Sequence, residues 1–171
     1  MTYFPMFVSI EGKPCLVVGG GAVAVRKCRG LFAFGADVTM IAERFLYQDD
    51  LHNIISGDPI PPCGIHKIER SFQEADMELE DWALVVAATD DRSVNRRIAA
   101  ICHEKQIPVN VADCKEECTF FFPAYCREGQ VAVGVTTSGT SPRLAGALRA
   151  RVEAALPGWL EEIRKETDEN A

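Results

Sequence analysis

The stretch Cys15-Leu16-Val17-Val18-Gly19-Gly20-Gly21-Ala22-Val23-Ala24-Val25-Arg26-Lys27 decides the reading of this 171-residue chain. A short apolar run stops at three consecutive glycines, and a segment of helical character begins at once. Strand, tight turn, helix is the order that opens a dinucleotide-binding βαβ unit. Gly19 lets the chain turn sharply, because glycine enters positive φ at little cost. Gly21 has no Cβ, so a pyrophosphate can approach the backbone. Ala24 replaces the third glycine of the pattern Gly-x-Gly-x-x-Gly and is still small enough for the helix to lie close to the strand. The helix N-terminus offers unbonded N–H groups and a partial positive charge to an anion. Taken alone, such a turn is equally a plain strand–helix connection, so its surroundings decide.

Downstream, Ala24, Cys28 and Leu31 recur at i, i+4 and i+7 and predict a helix over 22–34, with Gly35 just past its end. Residues 37–42 read as the second strand. Glu43 follows, about twenty residues beyond the glycines, where an acidic group bonds ribose hydroxyls. Arg44, next to it, suits a 2′-phosphate instead; the acidic residue makes NAD the expected cofactor over NADP. A helix is expected over 45–55, a loop over 57–62 and a short strand over 65–68. Residues 82–88 are continuously apolar, as a parallel strand buried on both faces would be. Thr89-Asp90-Asp91 closes that run, and a helix with Val94, Ile98, Ile101 and Cys102 on one face follows. Residues 107–112 form the next strand, with Asp113 just beyond its end. Upstream, residues 3–10 mix aromatic and aliphatic side chains around Pro5 and read as an extended segment packing on the sheet, with an edge strand as one form it could take.

Strands alternating with helices of this length imply an α/β fold, a Rossmann-like doubly wound parallel sheet. In such a sheet ligands lie at the C-terminal ends of the strands. Gly19, Gly20, Gly21, Ala22 and Val23 are therefore expected at the pyrophosphate. Glu43 and Arg44 are expected near ribose or adenine, and Thr89, with Asp90 beside it, on the nicotinamide side.

After Asp113 the rhythm changes. Residues 118–124 and 130–137 read as an antiparallel pair joined around Arg127-Glu128-Gly129. Ser138-Gly139-Thr140-Ser141-Pro142 then leads into a helix, with Ser141 as N-cap and Pro142 at the first helical position. Leu144, Leu148, Val152 and Ala155 supply its apolar face, and Pro157-Gly158 is expected to interrupt it. The acidic residues 161–169 read as a solvated, partly frayed tail. The chain thus divides into a dinucleotide-binding domain (1–113), an antiparallel segment (114–140) and a C-terminal helical segment (141–171). The helix start is either a capped end or a carboxylate-binding site built from free N–H groups, the Thr136, Thr140 and Ser141 hydroxyls and Arg143.

Hydrophobic residues make up 47% and charged residues 25%, an ordinary globular composition that needs no disulfides. No run approaches the roughly 18 apolar residues that span a membrane. Residues 1–10 lack a basic n-region, so no signal peptide is expected. The net charge of −7 argues against nucleic acid as a partner but leaves room for an anionic small molecule held by local cations. The seven cysteines are odd in number and scattered, which points to reduced thiols in a cytoplasmic protein. Cys114, Cys118 and Cys126 lack paired zinc spacing, and His52, His66 and His103 are far from them in sequence, so no metal site is assigned.

Several motifs occur together. Phe4-Pro5-Met6-Phe7 precedes the glycine stretch and its Arg26-Lys27. Then follow Ala87-Ala88-Thr89-Asp90-Asp91 with Val94-Asn95, Val109-Asn110-Val111-Ala112-Asp113, Phe122-Pro123-Ala124, and Thr136-Thr137-Ser138-Gly139-Thr140-Ser141-Pro142. In this order and spacing they resemble the precorrin-2 dehydrogenase / sirohydrochlorin ferrochelatase family, the N-terminal module of sirohaem synthases, over roughly residues 3–157. The resemblance implies NAD-dependent oxidation of precorrin-2, a tetrapyrrole, to sirohydrochlorin, with Fe²⁺ insertion in some members. It also implies a homodimer built through the antiparallel strands, and a catalytic Asp that falls on Asp113. Asn110, Thr136, Thr140, Ser141 and Arg143 are then the residues expected to hold substrate. Members usually carry several more helices than follow residue 157 here. Two other readings stand beside this one: a bifunctional dehydrogenase and ferrochelatase, and a dinucleotide sensor without chemistry. A sensor has no need of Asp113 or of the Ser/Thr-rich helix start.

Overall fold

The computed structural model describes residues 3–47 and 64–168. Most of the helix expected over 45–55, the whole loop expected over 57–62, His52 and Cys63 lie outside the described residues. Residues 45–47 form no helix. The chain separates into two units, one of them Phe7–Phe121 and the other joining the residues before Phe7 to those from Phe122 onward.

The larger unit is a five-stranded sheet. Its strands are β1 (Pro14–Val18), β2 (Asp37–Ala42), β3 (Ile65–Glu69), β4 (Leu84–Ala87) and β5 (Val109–Val111), in the order β3-β2-β1-β4-β5. All four pairings are parallel. Among the described residues its α-helices are α1 (Ala22–Ala33) and α2 (Arg92–Lys105). The doubly wound class expected from the alternation is the one observed.

Burial follows strand position. β4 is buried at every residue and β1 at all but Pro14, because both are flanked by strands and covered on both faces. Leu16, Val18, Val85, Ala87, Val109 and Val111 form one cluster with Ile98, Ala99, Ile101 and Cys102 of α2. The two-residue period turns Cys15, Val17, Val38 and Met40 to the opposite face. All four are fully buried, and α1, which packs along β1 and β2, covers that face. Gly35 takes φ +79° just past α1, in the C-cap role expected of it. Burial pushes the thiols of Cys15, Cys28 and Cys102 up to about 12, so they serve as small apolar core residues.

Two expectations about the strands need correction. Residues 3–10 join no ladder, and Phe4, Met6, Phe7 and Val8 are exposed, so no edge strand forms there. The strand expected over 82–88 is shorter, because Trp82 leaves the ladder and fills the core. Its indole N–H donates to the Asp76 carbonyl at 3.0 Å.

Asp76 is the one buried carboxylate among the described residues, at 2% exposure. Arg70 holds it through both guanidinium nitrogens, at 2.8 and 2.5 Å, and the Gln73 N–H donates to it at 2.8 Å. Burial pushes this carboxyl up, but these donors together outweigh burial and hold it below the usual carboxylate range. A carboxyl depressed in the folded state stabilises above its unfolded pKa and loses that contribution as pH falls through the folded value. Asp76→Asn is therefore expected to cost about 2 kcal/mol at neutral pH. The cost should shrink as pH falls through the acidic range, which urea denaturation at a series of pH values will measure. A pH-independent difference would assign the loss to packing.

In the second unit β6 (Ala124–Glu128) pairs antiparallel with β7 (Val131–Val135) around Gly129 at φ +59°. The hairpin was expected, but its first strand begins six residues later than the sequence suggested. Residues 118–120 are committed to β5 instead. Thr119 N–H donates to Val109 O at 2.9 Å, its hydroxyl accepts from Val109 N–H at 2.8 Å, and Asn110 Nδ2 donates to Phe120 O at 3.0 Å.

The C-terminal helix α3 runs unbroken over Pro142–Asp168, with Pro157 inside it. The expected interruption does not occur. Proline removes one backbone bond, but the turns on either side are intact and Leu156 is anchored at 6% exposure. Residues 161–168 are helical rather than frayed, and Lys165 pairs with Glu161 one turn away at 2.7 Å. The buried line of α3 is Ala145 and Leu156, with Val152 half-buried between them. Leu144 and Leu148, expected inward, are 52% and 42% exposed. A two-stranded sheet is too narrow to cover the whole apolar stripe.

Candidate functional site

β1 ends at Val18, and Gly19 follows at φ +131°. Its N–H donates to Ile41 O at 2.8 Å. A Cβ here would stand 2.2 Å from the Ala88 carbonyl oxygen, and one on Gly20 would stand 2.0 Å from that of Arg44. Gly19 and Gly20 are thus wedged between the ends of β4 and β2, at the point where the strand order reverses. Gly21 differs. It is the N-cap of α1 at φ −87°, and a Cβ there would meet nothing within 4 Å. α1 has no capping side chain and no acidic residue in its first turn. Ala22 and Val23 are exposed, while Ala24 is fully buried, as its closeness to the strand demands. The result is an open cradle of N–H groups under a helix dipole, which fits a pyrophosphate. The same open space is one that a side chain at Gly21 would fill.

The other expected cofactor residues line the same rim. Glu43 follows β2 directly, is exposed, and accepts a 2.6 Å hydrogen bond from Ser71 Oγ. Arg44 is exposed too, and its carbonyl closes over Gly20. Thr89 stands two residues past β4, and a single side chain holds it: Asn95 Oδ1 accepts from Thr89 N–H at 3.1 Å and from its hydroxyl at 2.8 Å, and Asn95 Nδ2 donates to its carbonyl at 3.0 Å. Asp90 is exposed. Asp91 caps α2; it accepts from the Ser93 hydroxyl at 2.6 Å and from Ser93 and Val94 N–H, and these bonds, the hydroxyl's first, hold its carboxyl below the usual range.

Asp113 lies at the same level. Ala88 N–H donates to Val18 O at 2.8 Å and Ala112 N–H to Ala87 O at 2.9 Å. Gly20, Thr89 and Asp113 therefore each stand two residues beyond aligned strand ends. Asp113 is 37% exposed, with Arg92 Nε 3.9 Å from Oδ2. Arg92 is bound more closely to Glu117, at 2.5 Å. Behind this edge Lys27 of α1 is within electrostatic reach of Cys118; burial, then the charge of Arg26, lowers its ammonium to about 8. Asn110 is buried and occupied with the Phe120 carbonyl.

Thr136, Thr140, Ser141 and Arg143 belong to the second unit. Ser141 Oγ accepts from Leu144 N–H at 3.2 Å, which makes it the N-cap that the sequence indicated. Thr136 Oγ1 accepts from Ser138 N–H at 3.1 Å, and the Thr140 hydroxyl donates to Thr137 O at 2.6 Å. Arg143 is exposed in the first turn of α3, which carries no acidic residue.

The roles of two residues escaped the sequence reading. Asn95 had a signal: an asparagine beside an otherwise apolar helix face needs buried partners. Ser71 had none, because its partner Glu43 is 28 positions away. An open depression lined by Met77, Glu78, Leu79, Glu80, Asp81, Trp82, Lys105 and Ile107 lies at the opposite, N-terminal end of β4 and β5, away from all these groups. Among the described residues no three His, Cys, Asp or Glu side chains converge on a common metal position, and no helix is long and apolar enough to cross a membrane.

Fold and rim together define a doubly wound dinucleotide-binding unit. The chain belongs to the family described as putative NAD(P)-binding, which it matches over residues 6–124. It is 40% identical over 160 residues to the siroheme synthase of Methylococcus capsulatus, covering 92% of this chain and 31% of that protein. With the siroheme synthase of Nitrosomonas europaea it shares 39% over 157 residues, again 92% and 31%. The chain spans about a third of the length of these relatives. Its fold is similar to that of SirC, a precorrin-2 dehydrogenase, with a TM-score of 0.67 and 24% identity over 89% of this chain and 70% of that one.

Proposed function

We propose that this chain is an NAD-dependent precorrin-2 dehydrogenase, acting as a cytoplasmic homodimer. The observation that carries the reading is the alignment of the glycine cradle, Thr89 and Asp113 on one strand-end rim. A carboxylate two strands from the uncapped N-terminus of α1 supports a proton acceptor beside a bound dinucleotide. The likeness to siroheme synthases agrees with it.

When bound, the nicotinamide supplies the acceptor for two electrons and one proton. The chain's own residues do the rest. Gly20 to Val23 hold the pyrophosphate through backbone N–H groups, while Gly19, whose N–H is bonded to Ile41 O, turns the chain beneath it. Glu43 takes the ribose hydroxyls and disfavours a 2′-phosphate by its charge. Thr89, immobilised by Asn95, fixes the nicotinamide side. Asp113 accepts the second proton that oxidation releases from the macrocycle. Thr136, Thr140, Ser141 and Arg143 take substrate carboxylates. Asn110 acts as scaffold for the segment after β5.

Precorrin-2 and NAD⁺ supplied together should yield NADH and sirohydrochlorin in equal amounts, followed by absorbance. Dinucleotide binding without turnover would replace the enzyme by a sensor. A further spectral change on adding Fe²⁺ would add chelation. Gel filtration tests the dimer.

A further inference from the structure

We propose that Ser71 is the residue that sets cofactor preference, by holding Glu43 in position to accept the adenosine ribose hydroxyls. The inference rests on the dinucleotide site proposed above. Glu43 is an exposed, flexible side chain, and such a chain loses considerable rotamer entropy when a ligand fixes it. Here it is already fixed. Ser71 Oγ donates to Glu43 Oε1 at 2.6 Å, the length of a charge-assisted O–H···O⁻ bond. One carboxylate oxygen is occupied in this way, and among the described residues nothing bonds Oε2, which is left for the ribose. Glu43 also stands beside the cradle, since Ala42 Cβ and the Arg44 carbonyl on either side of it press on Gly20.

Ser71 is held in place as a donor by the hydrogen bonds of its own loop. Arg70 Nη1 donates to the Ser71 carbonyl at 3.0 Å while the same guanidinium clamps the buried Asp76. Asp76 accepts from Gln73 N–H, and its carbonyl accepts from the Trp82 indole. The polar knot after β3 thus reaches the site through one hydroxyl. Without that hydroxyl Glu43 is free to swing into water. Its neighbour Arg44, exposed and cationic, is then unopposed and favours a 2′-phosphate.

The experiment measures Kd for NAD⁺ and NADP⁺ by calorimetry for the wild type, Ser71→Ala and Ser71→Thr. Wild type should prefer NAD⁺. Ser71→Ala should weaken NAD⁺ binding about tenfold, the worth of one hydrogen bond to a charged group, and narrow the preference for NAD⁺. Ser71→Thr keeps a hydroxyl and should restore both values. Ser71 is exposed, so the alanine variant is expected to fold, with an unchanged Tm. If wild type prefers NAD⁺ and Ser71→Ala keeps the same preference, the role of Ser71 is overturned and the site stands. If wild type binds neither dinucleotide, the site and this inference fall together.

Discussion

Asp113→Asn is expected to lower kcat/KM for precorrin-2 by about 10²- to 10⁴-fold, the usual contribution of a positioned general base. NAD⁺ affinity and thermal stability should stay at wild-type values. Asn keeps the shape and removes the charge that, under the proposed function, accepts the proton. Asp113 is 37% exposed and its only ion pair among the described residues is the loose 3.9 Å contact with Arg92. Arg92 keeps its closer partner Glu117. The fold therefore loses little, since exposed substitutions outside buried networks stay within about 0.5 kcal/mol. Calorimetric NAD⁺ titration, a melting curve and the NADH assay separate the three quantities. Unimpaired turnover would remove Asp113 from proton transfer. Parallel loss of binding and stability would make it a scaffold residue.

The second large effect separates two neighbouring glycines. Gly19→Ala should destabilise the protein by about 3 kcal/mol or more, through a strained φ and a clash with backbone. The clash is 2.2 Å from Ala88 O, at the junction of the two central strands, where nothing can yield. For a chain of this size that corresponds to a fall in Tm of about 10 °C. Gly21→Ala should leave Tm unchanged, because φ is −87° and no atom lies within 4 Å of the new methyl. It should weaken dinucleotide binding about tenfold or more, because the methyl enters the space a pyrophosphate needs. Retained affinity in Gly21→Ala would mean that the anion binds elsewhere. A Gly19→Ala protein that melts like wild type would mean that the strand ends can part.

Much of this was legible in local chemistry. The glycine turn, the apolar runs of β1 and β4 and the caps Gly35 and Ser141 each carry their reason within a few residues. The errors share a cause. Residues 118–124 read as a strand because they are apolar, yet Thr119 and Phe120 bond back to β5, ten positions earlier. Pro157 read as a stop, yet Leu156 anchors the helix beside it. Leu144 and Leu148 read as core, yet the surface they meet is only two strands wide. In each case the decision belonged to a partner absent from the segment itself.

The sequence alone determined the class of sheet, the position of the anion cradle and the carboxylate past β5. These follow from periodicity, from the lack of a Cβ and from strand direction, all properties of contiguous residues. Only the tertiary structure decided which glycines the fold itself requires and which faces open space, because that depends on the neighbours of a missing Cβ: Ala88 and Arg44 for Gly19 and Gly20, nothing within 4 Å for Gly21. Only the structure, likewise, joined Ser71 to Glu43 and Asn95 to Thr89. A hydrogen bond across the end of a sheet depends on register and leaves no periodic trace in the chain.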